Sequence, residues 1–275
     1  MNDKLFGSSH LFLVLVLLCG CGGGRPSGTP LTPPSTPPSG SPPPSPNIAG
    51  HWQFTTTSLM GMPPATLAGS LAQSGKSVSG AVHVDGSNCV DWLTTIDLTG
   101  SVTGSSISLT SASVGGQITT LTGSITNAAL TGTYNIKGGC ADGDHGNVIG
   151  TKLPYLANQL SGTFTTSGQQ TFDIAGNIAQ NGDPSPDGSY GVSGTATFNV
   201  PCFNSGTITP GTLSQGSFVL GSRLALEIET GNGIVTFGGT VNQDRTEIIG
   251  NYAVSGGTCD DSGTAVLHVS SPWDY

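Results

Sequence analysis

Hydrophobic and polar positions alternate along this chain, and they do so around glycine. Leu130-Thr131-Gly132-Thr133-Tyr134 sets two apolar residues and a glycine on one face of an extended strand and threonines on the other. The pattern returns at Leu98-Gly100-Val102, Leu121-Gly123-Ile125, Leu160-Gly162-Phe164, Ile174-Gly176-Ile178, Phe237-Gly239-Val241 and Ile248-Gly250-Tyr252, where only the residues sharing the glycine's face are named. A period of two with one apolar face predicts antiparallel strands, buried on one side and solvated on the other. A glycine on the buried face adds no core volume, but it relieves crowding where a strand coils around a narrow interior. Closed, strongly curved sheets are therefore expected. After residue 20 no run carries a 3.6 period, while threonine, serine, valine and glycine dominate, so the fold class is all-β.

The pattern and its breaks place eight strands in the first half, at about 48–57, 66–73, 77–84, 93–103, 105–111, 117–125, 128–136 and 146–153. Gly86-Ser87-Asn88, Gly104-Ser105-Ser106, Gly115-Gly116 and Asn127 suit short turns between sequential neighbours. The chain then repeats itself. Ile48-Ala49-Gly50-His51-Trp52 is matched by Leu160-Ser161-Gly162-Thr163-Phe164, and Gly69-Ser70-Leu71-Ala72-Gln73 by Gly176-Asn177-Ile178-Ala179-Gln180. Gly132-Thr133-Tyr134 through Cys140 is matched by Gly250-Asn251-Tyr252 through Cys259. The expectation is two tandem eight-stranded antiparallel up-and-down barrels, or flattened sandwiches, over 47–156 and 157–275. The second copy carries longer excursions at 182–188 and 201–216.

The N-terminus has a different character. Residues 1–20 combine Lys4 with the apolar run Leu11 to Leu18, the layout of a secretory signal too short to span a membrane. Leu18-Cys19-Gly20-Cys21 resembles the lipobox of bacterial lipoproteins. That resemblance implies that Cys21 is diacylated and becomes the mature N-terminus, while Cys19 leaves with the signal; the alternative is an ordinary cleaved signal. Gly22 after the lipid site implies, by the same resemblance, transfer to the outer membrane. The stretch 21–46 is dominated by proline, glycine, serine and threonine, a tether that at roughly 3 Å per residue spans several tens of ångströms.

Two cysteines then remain in each copy. Cys89 and Cys140 follow the third and seventh strands, and Cys202 and Cys259 occupy the equivalent places, on loops that a meander brings to one end. Disulfides Cys89–Cys140 and Cys202–Cys259 are expected, each strapping one mouth. Any ligand access is then expected at the opposite mouth, lined by Lys76, Ser105 and Asn127. A formal net charge of −9 without a basic cluster argues against a nucleic-acid surface.

Gly50-His51-Trp52 resembles the Gly-x-Trp signature of lipocalins, and Leu130 to Tyr134 resembles a strand of avidin-type barrels. Either resemblance implies a barrel with a ligand pocket. The chain departs from the lipocalin pattern in having no helix after the barrel and only Lys152 as a basic residue on the eighth strand. It departs from the avidin pattern in having only Trp52, Trp92 and Trp273. The whole layout of lipobox, proline-rich tether, Gly-Thr strand repeats and paired cysteines resembles secreted lipoproteins of soil bacteria, which implies an envelope address and no particular activity.

Candidate chemistry is sparse. Asp142-Gly143-Asp144-His145 and Asp260-Asp261 make the same loop acidic in both copies; Calcium could use Asp142 and Asp144, but EF-hand spacing is absent and solvated turns use the same residues. His51, His83, His145 and His268 are scattered, no Gly-x-Ser-x-Gly elbow stands between strand and helix, and Glu227, Glu229 and Glu247 have no counterparts in the first copy. Trp52, Phe54, Tyr134, Phe164 and Tyr252, with Trp92, either line a ligand cavity or fill the interiors. The expected function is that of a lipid-anchored cell-envelope protein, a non-catalytic structural, adhesive or interaction module without a cofactor. The alternative is a carrier of a small apolar ligand in a barrel cavity, with an extracytoplasmic hydrolase third. The partners expected are the membrane, through the lipid, and a protein or small ligand.

Overall fold

The computed structural model describes residues 45–270, so the signal, Cys21, nearly all of the tether and Trp273 lie outside the described residues. Eight strands form the first barrel: β1 (Gly50–Ser58), β2 (Thr66–Ser74), β3 (Ser77–Asp85), β4 (Ile96–Thr103), β5 (Ser106–Ser111), β6 (Ile118–Ile125), β7 (Ala129–Lys137) and β8 (His145–Lys152). Each pairs antiparallel with the next, and β8 returns to β1 to close the sheet. Closure removes both edges, so no ladder is left unpaired.

The second barrel comprises β9 (Ala157–Thr166), β10 (Thr171–Gln180), β11 (Tyr190–Val200), β12 (Phe203–Ile208), β13 (Phe218–Leu220), β14 (Arg223–Thr230), β15 (Gly233–Val241), β16 (Glu247–Ser255) and β17 (Asp261–Val269). It closes through β9 and β17. Nine strands stand here where the alternation predicts eight, because the fourth position is split. The first part, β12, pairs with the C-terminal halves of β11 and β14, and β13 pairs with their N-terminal halves. Residues 209–217 leave the wall between the two pieces.

Pairing register also corrects the internal repeat. Trp52 faces Gly69 across β1 and β2, and the equivalent Gly176 faces Leu160. Trp52 therefore corresponds to Leu160, not Phe164, a shift of four residues from the match of Gly50 with Gly162. Interior volume explains how both registers fill. In the first barrel the Phe54 ring lies where a side chain on Gly150 would go, and at the equivalent place in the second Leu267 lies where one on Gly162 would go. Large and small have exchanged strands.

Side chains occupy both interiors. Trp52 and Phe54 stack with centroids 5.8 Å apart amid Leu98, Leu109, Leu121 and Leu130. In the second barrel Phe164 is the hub, 4.8 Å from Tyr252, 5.0 Å from Phe172 and 6.5 Å from Phe237. Tyr134 is buried in the wall of the first barrel. The inward glycines sit against neighbouring backbone: Gly123 and Gly132 face each other across β6 and β7, and a Cβ on Gly132 would stand 2.1 Å from the Thr122 carbonyl oxygen.

The end opposite the disulfides is plugged, which overturns the expectation of access there. Fully buried Ile48 precedes β1, and its N–H donates to Gln73 Oε1 at 2.9 Å; Asn47 N–H donates to Asn127 Oδ1. Leu156 and Gln180 repeat the device, with Leu156 N–H donating to Gln180 Oε1 at 3.3 Å. The repeated Leu-Ala-Gln and Ile-Ala-Gln thus each supply one acceptor for the apolar residue that stops the barrel.

Candidate functional site

Two kinds of place combine polar side chains with space: the strapped mouths and the seam where the barrels meet. At the mouths, Cys89–Cys140 and Cys202–Cys259 join the third and seventh loops of each barrel, with Cα atoms 5.7 and 6.0 Å apart. Beneath each strap a tyrosine donates to an aspartate: Tyr134 to Asp144 at 2.8 Å and Tyr252 to Asp261 at 2.7 Å. Burial first, then the carboxylate, pushes the Tyr134 hydroxyl up to about 12 and Tyr252 higher still. Asp144 is buried rather than solvated, and both of its oxygens are engaged, the second by Ser58 Oγ at 2.5 Å. Asp142 accepts from Gly138 N–H. These bonds fix the loop that was the candidate calcium site. Among the described residues no group of three or more His, Cys, Asp or Glu side chains comes together as a metal site.

The clefts at the two mouths are small, about 90 Å³ beside Tyr134 and about 180 Å³ beside Phe172 and Asp261. Both fall below the ~300 Å³ at which small-molecule pockets begin. Glu227 and Glu229 share β14 and Glu247 opens β16, two strands away; Glu229 is exposed and the other two are half-buried.

The larger site is the seam. The outer face of β1 to β3 carries His51, Ser70, Ala81 and His83, all buried. Against it stand the β10–β11 loop, the β13–β14 turn and the β15–β16 turn, all from the plugged end of the second barrel. His83 Nε2 lies 2.9 Å from the Asp187 carbonyl oxygen and its Nδ1 2.9 Å from that of Trp92. Trp92 is therefore no interior residue: it is half-exposed on the β3–β4 loop, 4.4 Å under the Arg223 guanidinium, which also pairs with Asp85 at 2.8 Å. Gly221 has φ +59°, and a Cβ there would lie 2.5 Å from Ala68 Cβ, so only glycine allows this approach.

His51 is the centre of the seam. Gly221 N–H donates to its Nε2 at 2.7 Å, Arg245 Nη2 lies 3.1 Å from its Nδ1, and the Tyr190 ring is 4.8 Å away. Arg245 Nη2 also donates to the Gly221 carbonyl at 3.0 Å. Both ring nitrogens face N–H groups; the neutral ring has one acceptor nitrogen and accepts only one of them, and a second proton would leave it none. Burial, then the Arg245 charge, holds the His51 pKa well below its usual value. Burial also pushes Arg245 down to about 10 and Tyr190 up to about 12.

In the unfolded chain His51 takes up a proton near its ordinary value of about 6.5, whereas in the folded chain it stays neutral, so acid favours unfolding. Stability is expected to fall below about pH 6.5 by up to about 1.4 kcal/mol per pH unit from this group, until its folded pKa is reached. Urea midpoints at pH 7.5 and 5 in wild type and His51→Asn check it: the variant should lose less on acidification, and an identical loss refutes the assignment.

Beside this network, between the β1 and β8 wall and the β15–β16 turn, lies a cleft of about 320 Å³ lined in part by Gln53, Leu153 and Arg245. Sequence reasoning did not find it. The available signal was His51 and His83 at outward positions of otherwise alternating strands.

No protein-family model and no curated protein matches the chain. Three solved structures are similar at low level. Kievitone hydratase from Nectria haematococca aligns over 84% of this chain and 92% of its own at 9% identity, TM-score 0.24. A putative AttH from Nitrosomonas europaea aligns over 87% and 99% at 10% identity, TM-score 0.21. A porin-like protein from Bacteroides uniformis aligns over 82% and 99% at 12% identity, TM-score 0.18.

Proposed function

We propose that this chain is a lipid-anchored protein of the bacterial cell envelope, acting as a non-catalytic structural, adhesive or interaction module. The observation that carries this reading is the joining of two side-chain-filled, disulfide-strapped barrels through a polar seam; the signal-like run and the resemblance of Leu18 to Cys21 to a lipobox support the anchor. Disulfides belong to an oxidising compartment. A pair of filled barrels on a tether of several tens of ångströms presents loops at a distance from the membrane, and the outer membrane is the address that Gly22 supports.

Anchoring is tested by Cys21→Ser and cell fractionation. The variant is expected to leave the membrane fraction, while wild type stays in it. Recovery of the variant wholly in membranes would sink the lipid attachment.

A further inference from the structure

We propose that the cleft at the seam between the barrels binds a small sugar acid, its carboxylate received by Arg245. The starting point is an unbalanced charge. Arg245 is 3% exposed, and among the described residues it pairs with no carboxylate. Its Nη2 is used within the seam, but Nε and Nη1 are buried without a hydrogen-bond partner. A buried guanidinium left in that state is destabilising, and a carboxylate is the planar acceptor that its geometry matches.

The surroundings narrow the ligand. Arg245 is the sole charged residue lining the cleft among the described residues, so one negative charge balances it and a doubly charged phosphate does not. Thr55, Thr151, Ser222, Asn242 and Gln243 add uncharged hydroxyls and amides, the groups that pair with sugar hydroxyls. Ile149 is 62% exposed and lines the same cleft, offering an aliphatic surface to the C–H face of a ring. A volume of about 320 Å³ suits a single ring.

The position of Arg245 is held by its turn. The backbone has φ +60°, and Asn242 Oδ1 accepts from Thr246 N–H at 2.9 Å and Glu247 N–H at 3.2 Å. Nε and Nη1 are closed to solvent, so a carboxylate reaches them only as a cleft side chain moves. Binding is thereby coupled to the seam and should raise the thermal midpoint by mass action. A free sugar acid and the acid unit of a polysaccharide share this chemistry.

Calorimetric titration of the purified protein with D-glucuronate, glucose and inorganic phosphate tests the proposal, with Arg245→Met and Thr151→Phe as variants. Thr151 takes no part in the contacts of His51, Gly221 and Arg245, so filling the cleft there leaves the seam in place. Glucuronate is expected to bind one per chain and to raise the thermal midpoint. Glucose, and glucuronate with Arg245→Met, should bind at least about tenfold more weakly, the loss of one charge-assisted bond, and phosphate and glucuronate with Thr151→Phe should be weakened as much by excess charge and by lost space. Tighter binding of a glucuronate-containing oligosaccharide than of free glucuronate supports the polysaccharide source, and the reverse supports the free acid. Absence of saturable glucuronate binding, equal binding of phosphate, or undiminished binding in Thr151→Phe overturns the proposal, and that last variant decides alone where Arg245→Met does not fold.

Discussion

Gly132→Val is expected to destabilise the first barrel by about 3 kcal/mol or more, the upper range for a substitution that overpacks a wall. The Cβ added would stand 2.1 Å from the Thr122 carbonyl oxygen and 2.7 Å from Gly123 Cα. Both obstacles are backbone, held by the β6–β7 ladder in which Gly123 and Gly132 are partners, so no side-chain rotation relieves them. The barrel must uncoil at that point or part its strands. Thr133→Val, one residue on and outward-facing, meets solvent and should change stability by no more than about 0.5 kcal/mol. Urea midpoints of the two variants make the comparison; a Gly132→Val protein that unfolds with wild type would show that the inward glycines are not what lets the strands coil.

The same glycines explain how much of the fold the chain discloses. Strict alternation located the strands of the first barrel to within about three residues at each end, because each face meets one environment, core or water, along its whole length. The cysteine pairing was legible for a related reason: a meander leaves alternate loops at the same end, and the two pairs are the ones that share a mouth. Where a second influence acts, the pattern misleads. Gly50 and Gly162 sit in similar strings, yet register is set by partners on two neighbouring strands, and those put Trp52 opposite Gly69 and Leu160 opposite Gly176. The split of β12 from β13 was hidden because an excursion that leaves and rejoins one strand position reads like a long loop.

The seam was the least visible feature. His51, Ser70 and His83 occupy outward positions that a lone barrel would give to water, and polar residues are what such positions carry in either case. Composition does not distinguish an outward face that is solvated from one covered by a second barrel through hydrogen bonds. The Gly182 to Gly188 excursion, read as divergence between copies, is the element that brings Asp187 and Gly188 to β3. Trp92 followed the same course: a large aromatic suggests an interior, but its loop sets it under Arg223.

That placement makes the two disulfides unequal. Removing either is expected to lower stability by about 2–4 kcal/mol, since sequence separations of 51 and 57 residues close loops of similar size. Only the first lies in the seam's support. Cys89 stands three residues before Trp92, whose carbonyl meets His83 and whose ring lies under Arg223, so the strap to Cys140 restrains the loop that touches the second barrel. Cys202 and Cys259 bridge the far mouth of the second barrel, away from the loops that contact the first. Cys89→Ser with Cys140→Ser should therefore speed hydrogen exchange at Gly221, whose N–H donates to His51, and along 187–190, whereas Cys202→Ser with Cys259→Ser should leave those amides protected in the folded protein. Equal acceleration in both variants, or none in the first, would mean that the seam does not depend on the loop the first disulfide holds.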